Sequence, residues 1–179
     1  MNTKKTSKTN RFNKPITKIA NTKNISKSVP KIRVLFVCTG NTCRSPMLEF
    51  CFKSFLKQKK VLSKFDVKSA GILAEENDLI ADNAILALKS LGVVCNSKNA
   101  KLLDQNLMKK SDYIICMTEH HKASIEKDFA KANVKVITMA AITNGPDVPD
   151  PYGCGIEEYS AVLEYFIYAC EDVFSFIMN

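Results

Sequence analysis

The sequence predicts a single α/β domain, a four-stranded parallel sheet with helices on both faces. Three observations carry that expectation. From residue 32 onward, short apolar runs alternate with longer stretches of helical periodicity, the pattern of a parallel sheet covered on both sides. The first run, Val34-Leu35-Phe36-Val37, is unbroken, as in a strand buried on both faces. The length of 179 residues suits one well-packed domain and is too short for two ordinary ones.

Ile32 to Val37 is the first strand. Thr39-Gly40-Asn41-Thr42 is small and turn-competent, and Ser45-Pro46 reads as a helix start, with Ser45 as N-cap and Pro46 at the first helical position. That helix runs from Pro46 to Lys60, its Met47, Leu48, Phe52, Phe55 and Leu56 recurring near helical spacing, and Phe65 to Ser69 is the second strand. Asp82 to Leu91 is an amphipathic helix ended by Gly92. Asp104 or a neighbour caps a short helix before the third strand, Tyr113 to Met117. A helix from Glu119 to Ala130, a strand from Val134 to Thr138 and a long helix from Glu157 to Ile177 complete the pattern. Between the last two lies a Gly- and Pro-rich loop holding Asp147, Pro149, Asp150 and Pro151. Sites in open parallel sheets form beyond the carboxyl ends of the strands, so the loops bearing Cys38 and Asp150 are expected at one end of the sheet.

The segment Cys38-Thr39-Gly40-Asn41-Thr42-Cys43-Arg44-Ser45 joins a buried strand to a helix N-terminus through a Cys-x5-Arg loop. Such a loop aims several backbone N–H groups at one spot, where the helix dipole adds positive potential. That spot suits a phosphate dianion. Arg44 adds two parallel charge-assisted hydrogen bonds, and the same field is expected to favour the Cys38 thiolate, the attacking form. Gly40 lets the backbone close around the anion, and Asn41 is expected at positive φ, bracing the loop. Cys-x5-Arg alone would also fit a buried strand-end thiol and a surface arginine, but the flanking strand, turn and helix start outweigh that reading.

In these residues the chain resembles the low-molecular-weight protein tyrosine phosphatase family, over about residues 32 to 178. Residues 38 to 45 look like its phosphate-binding loop, Asp150-Pro151-Tyr152-Gly153 like its general-acid loop, and Ser69-Ala70-Gly71 also recurs there. The resemblance implies a cysteine-dependent protein phosphatase working through a cysteinyl-phosphate, with no cofactor and no metal. Cys38, Arg44 and Asp150 are then the catalytic residues, and Thr39, Gly40, Asn41, Thr42, Cys43, Arg44 and Ser45 bind phosphate. Asp150 is expected as general acid in preference to Asp147, the alternative being that both are ordinary loop-turn residues. Ser45 is expected to hydrogen-bond the thiolate. Cys43 is either a redox partner for Cys38 or an inert packed thiol. One departure concerns Ser97-Lys98-Asn99, where many family members carry a histidine that supports the loop asparagine; this leaves the support of Asn41 in question.

Two features resemble the protein-arginine phosphatase branch. Thr42 stands where tyrosine phosphatases often carry a large aliphatic residue, and Met117-Thr118-Glu119-His120-His121-Lys122 looks like the Met-Thr-x-x-His-Lys stretch of bacterial arginine phosphatases. The two histidines are read as an exposed first helical turn without a chemical role. Tyr152, with Asp147 a further candidate, is expected at the mouth of the site, able to stack on a phenyl ring or a guanidinium. Phosphoarginine in a phosphorylated protein is the expected substrate and phosphotyrosine the alternative. Arsenate reduction would need two further cysteines close in sequence, and a non-enzymatic phosphoprotein reader would need neither thiolate nor acid.

The formal charge of +8 is unevenly placed. Residues 1 to 33 hold ten Lys or Arg and no acid, so the rest of the chain is slightly acidic. Residues 1–30 are therefore expected to be a basic, disordered extension with the charge for a weak polyanion contact, and residues 31–179 the phosphatase domain. Seven cysteines, an odd number, argue against a disulfide scaffold and for the reducing cytoplasm, with Cys51, Cys95, Cys116, Cys154 and Cys170 as core or inert surface thiols. No Cys-x2-Cys or His-rich pairing suggests a metal, and no apolar run is long enough to span a membrane.

Overall fold

Four parallel strands, β1 (Ile32–Cys38), β2 (Phe65–Gly71), β3 (Tyr113–Cys116) and β4 (Lys135–Thr138), form one sheet in the order β2-β1-β3-β4. The computed structural model describes residues 30–128 and 134–179. The expected extension, Pro30 apart, and the last two residues of the helix expected to end at Ala130 lie outside the described residues.

The unbroken apolar run of β1 has its physical reason in its central place. Val34, Phe36 and Cys38 face one core, Leu35 and Val37 the other, and all five are nearly solvent-free. The larger core packs the sheet against α1 (Arg44–Gln58), α2 (Asp82–Ser90), α5 (Met139–Thr143) and α6 (Ile156–Met178), through residues such as Met47, Phe52, Leu88, Met139 and Phe166. The smaller core joins Leu35, Val37 and Ile114 to Met108 of α3 (Gln105–Lys109) and Ile125 of α4 (Glu119–Asp128). Helices thus cover both faces, as expected.

The termini follow local chemistry. Asp104 caps α3 by accepting from Leu107 N–H at 2.6 Å. Beyond α2, Gly92 takes φ +70°, and the N–H groups of Gly92 and Val93 bond back to the carbonyls of Lys89 and Leu88, a Schellman closure that a side-chain-free residue favours. Two short elements escape the periodicity, a 3-10 turn at Leu62–Lys64 and α5, because neither is long enough to show a repeat. One start is misplaced by sequence. The first helix begins at Arg44 with Cys43 as N-cap, not at Pro46 with Ser45 as cap. Pro46 stands third in the helix, where its missing N–H still breaks no intrahelical bond; the first such bond runs from Met47 N–H to Cys43 O at 3.1 Å.

The register places the site. Cys38 lies opposite Gly71, and Val37 opposite Cys116, so the loops after β1, β2 and β3 leave the sheet side by side. The order reverses direction between β1 and β3, which opens a crevice there.

Phe52 anchors the larger core, edge-on to Phe36 and Phe65 at ring separations of 5.7 and 6.1 Å. Phe52→Ala should therefore cost about 3–5 kcal/mol, a large share of a typical domain's stability. Urea unfolding followed by circular dichroism would measure it; a loss under about 1 kcal/mol would mean the cluster repacks.

Candidate active site

The loop from Cys38 to Ser45 is held open by a residue in left-handed backbone geometry, Asn41 at φ 55°. Its buried amide explains why the loop keeps that shape. Asn41 Nδ2 donates to Ser45 Oγ (2.8 Å) and Ser69 Oγ (2.9 Å), and Oδ1 accepts from Lys101 N–H (2.9 Å). Main-chain bonds from Ile72, Leu73 and Ala81 N–H to the carbonyls of Cys38, Thr39 and Thr42 fasten the outer rim. Gly71 permits this close approach: a Cβ there would lie 2.3 Å from Thr39 O and 2.8 Å from Asn41 N. At Gly40, by contrast, a Cβ would meet only Thr42 Oγ1 among the protein's own atoms, at 3.6 Å.

The question left by Lys98 has an answer in a buried ionic cluster. Lys98 Nζ donates to Ser69 Oγ (2.6 Å) and pairs with Glu49 of α1, while Ser69 donates to Glu49 Oε2 (2.6 Å) and Lys53 Nζ binds Oε1 (2.6 Å). Burial works to raise the Glu49 pKa, but the two lysines outweigh it and hold the carboxyl below its ordinary value. Ser69, fixed between Glu49, Lys98 and Asn41, transmits that support to the loop. Sequence reading missed Glu49, whose only local signal was an i,i+4 pairing with Lys53 that reads as a surface bridge.

Cys38 is 3% exposed, with Ser45 Oγ 2.9 Å from its sulfur. Burial pushes its thiol above the ordinary value, against the opposing pull of Ser45, the Asn41 main chain and Arg44. The loop groups and Arg44 thus pull toward the thiolate, the direction expected of them, while the net shift goes the other way. The physical reason is desolvation, which outweighs that pull at a sulfur with almost no exposure. Arg44, itself only 5% exposed, also has partners of its own: its Nη2 pairs with Asp150 Oδ2 at 2.6 Å and Nη1 donates to Val148 O at 3.4 Å. Ser45 can serve either form of the sulfur. It donates to Ala70 O (3.2 Å) when it accepts the thiol's proton, and turns to Cys38 when the thiolate needs a donor.

A pocket of about 200 Å3 opens over the loop, lined by Cys38, Thr39, Gly40, Thr42, Cys43, Arg44, Asp78, Asp150 and Tyr152. It is small beside the ~300–1,000 Å3 usual for whole organic ligands, so a terminal group is what it admits. Most residues expected at the site meet there. Asn41 and Ser45 do not line it; their side chains face back into the domain as braces. Asp147 is absent too, because its carboxylate accepts from Glu119 N–H (3.1 and 3.2 Å) and caps α4. Asp78 was not anticipated; it follows Glu75 and Glu76 in the loop after β2. Cys43 is buried, its sulfur 3.1 Å from Tyr159 Oη, and all seven cysteines are free thiols. Burial drives the Cys116 and Cys170 thiols up to about 12, which keeps them inert.

His121 departs furthest from expectation. It is 2% exposed rather than on an open helical turn, and its ring is bonded at both nitrogens: Nε2 to Thr39 Oγ1 (2.9 Å) and Nδ1 to Thr118 Oγ1 (2.7 Å). Burial, then Arg44, push its pKa down to about 4, so it is neutral near pH 7. His120 remains exposed. Among the described residues, no group of three or more His, Cys, Asp or Glu is placed to hold a metal ion, and no helix is long and apolar enough to cross a membrane.

A parallel sheet that delivers a buried cysteine into an arginine-closed loop, facing a carboxylate across a small pocket, defines a protein phosphatase of the cysteine-dependent class. Comparison with known proteins agrees. Residues 33–177 match the family described as low molecular weight phosphotyrosine protein phosphatase, and the chain belongs to that family. It is similar to the protein-arginine-phosphatase of Bacillus subtilis (strain 168), 37% identical over 128 residues that cover 70% of this chain and 83% of the relative. The protein-arginine-phosphatase of Geobacillus stearothermophilus is 36% identical over 134 residues, covering 74% and 86%. The crystal structure of a YwlE mutant from Bacillus subtilis superposes with a TM-score of 0.77 at 30% identity, over 83% of this chain and all of that one.

Two outcomes test the site as described. Gly71→Ala would push Thr39 and Asn41 aside, costing about 1–3 kcal/mol of stability and on the order of a hundredfold in activity through misplacement of the loop; near-normal activity would show that the loop tolerates the shift. His121, held at about 4 against an ordinary 6.5, takes up a proton on unfolding between those values, so its contribution to stability is present above pH 6.5 and lost as pH falls toward 4. Between pH 7 and 4.5 the Tm of the wild type should fall more steeply than that of His121→Asn; equal slopes would mean the imidazole is not held neutral.

Proposed function

We propose that this protein removes the phosphoryl group from phosphoarginine in proteins. Cys38 gives its thiol proton to an oxygen of the entering phosphoryl dianion. The thiolate attacks phosphorus in line, forming the S–P bond as the P–N bond to the guanidino group breaks, while Arg44 and the loop amides hold the equatorial oxygens; the released phosphate returns that proton to Cys38. Asp150 gives its proton to the leaving nitrogen. It then takes a proton from water, whose oxygen attacks phosphorus, frees Cys38 and releases inorganic phosphate.

In this reaction Arg44 and Asp150, paired at 2.6 Å, act side by side. A phosphoryl dianion competes for the guanidinium, so Arg44 can turn from the Asp150 carboxylate to the phosphoryl oxygens. The same arrival draws Arg44's charge toward the sulfur.

The observation that carries the choice of phosphoarginine is the polar lining of the pocket: Thr42 of the loop, with a short polar side chain, and two carboxylates outside the loop, Asp78 and Asp150. That lining suits a cationic leaving group better than a phenyl ring, which would gain from a broad apolar surface. The similar proteins named protein-arginine-phosphatase support the same choice. Arsenate reduction is disfavoured because Cys43 is the sole cysteine beside Cys38 along the pocket. We place the activity in a reducing cytoplasm, where Cys38 stays a free thiol.

The test is kcat/KM on matched phosphoarginine and phosphotyrosine peptides, with Cys38→Ser as the blank. The wild type should prefer phosphoarginine by at least about tenfold, some 1.4 kcal/mol between transition states, and Thr42→Ile should shrink or reverse that preference. Preference of the wild type for phosphotyrosine would overturn the proposal and make Thr42 incidental.

A further inference from the structure

We propose that His121 is a positioning residue that turns the Thr39 hydroxyl into a hydrogen-bond donor aimed at the phosphoryl group. The proposal rests on the phosphatase reading of the pocket and goes beyond it, because neither the side chain of Thr39 nor His121 is needed to explain nucleophile, arginine or acid.

The protons and lone pairs around the ring fix its tautomer. Thr118 Oγ1 accepts from the main-chain N–H of His121 at 3.3 Å and lies 2.7 Å from His121 Nδ1. The arrangement that gives the Thr118 hydroxyl proton an acceptor sends it to Nδ1. A neutral ring then carries its single proton on Nε2, which donates to Thr39 Oγ1 at 2.9 Å. Arg44 Nη2 also reaches Thr39 Oγ1, at 3.4 Å. Both lone pairs of that oxygen are thereby occupied. Its one remaining asset is its own proton, and Thr39 lines the pocket beside Cys38 and Arg44. The opposite tautomer would draw the Thr39 proton back to Nε2 and leave a lone pair facing the phosphoryl oxygens, which is repulsive.

The fold supplies the rigidity such a device needs. Thr39 follows β1 and Thr118 and His121 follow β3, so the relay spans the crevice where the strand order reverses, tied on either side by Met117 N–H to Val37 O (3.0 Å) and Val148 N–H to Met117 O (3.0 Å). His121 is buried, and its two ring contacts are hydroxyls rather than charges. A donor of fixed direction at a developing oxyanion belongs to the interactions whose loss costs about a hundredfold or more when fully aligned.

The test combines a spectroscopic and a kinetic arm in the full-length protein. The chain has only two histidines, so long-range 15N–1H spectra with His120→Gln for assignment read the His121 tautomer directly. The expected result is a proton on Nε2; a proton on Nδ1 overturns the proposal. In kinetics on the preferred phosphopeptide, Thr39→Val and His121→Phe should each lower kcat/KM by about tenfold to a hundredfold, and weaken inhibition by vanadate in parallel. Thr39→Ser and His121→Gln, which restore a hydroxyl and a donor, should recover most of each loss. The Thr39→Val/His121→Phe double variant should be no worse than Thr39→Val alone, because His121 acts through Thr39. Additive losses, or a His121 effect that follows Tm while Thr39→Val is harmless, overturn it. If His121→Phe fails to fold, the Thr39 pair and His121→Gln decide by the same criteria. Absence of any Cys38-dependent hydrolysis in the wild type would instead sink the phosphatase reading itself.

Discussion

The site depends on one constraint, the left-handed turn at Asn41 and the three hydrogen bonds that hold it there. A non-glycine residue at positive φ costs energy, and the turn persists because the bonds of the Asn41 amide, near and far in sequence, offset that cost. Asn41 is suited to this because its amide both donates and accepts: two donors reach Ser45 and Ser69, and the carbonyl takes the Lys101 N–H. From that turn follow the inward course of the loop, the direction of Arg44 into the pocket and the contact of Ser45 with Cys38. The absence of a side chain at Gly71 is the complementary condition, since the loop packs onto its Cα.

Charge is managed in two separate layers. Behind the loop, Glu49 is buried but meets Lys53, Lys98 and the Ser69 hydroxyl, so no buried charge is left without partners. In front of it, Arg44 is buried against Val148 O and Thr39 yet shares its charge with the half-exposed Asp150. The rear layer is closed and structural. The front layer is a part-exposed pair that opens onto the pocket. The thiol of Cys38 lies between the two layers, raised by its burial against the opposing pull of Ser45, the Asn41 main chain and Arg44.

Much of this architecture was legible in the chain. The unbroken run of β1, the Gly92 stop and the Asp104 cap each follow from local rules, and the structure realises them within a residue or two. The helix start was misread because Ser-Pro is a strong local signal for a cap, whereas the loop needs Ser45 within the first turn to reach Cys38 and Ala70. His121 was read as exposed because its neighbours on α4 are polar, with Glu119, His120 and Lys122 beside it. Its burial comes from the neighbouring β1 loop, 82 residues away in sequence. Asp147 and Asp150 offered the same chemistry three residues apart, and only the packing of the α4 N-terminus against the first of them separates a cap from a pocket residue.

By itself, then, the sequence determined the parallel α/β sheet, the loop with its cysteine and arginine, and the Asp-Pro segment that faces them, because these rest on periodicity and on residues adjacent in the chain. Tertiary structure alone decided what supports that loop: Lys98 and Glu49 behind Ser69, Gly71 beneath Thr39, and His121 against the Thr39 hydroxyl. The reason is that a buried polar group takes whichever partner the fold brings within 3 Å, and those partners lie 20 to 82 residues apart, where no local pattern records them.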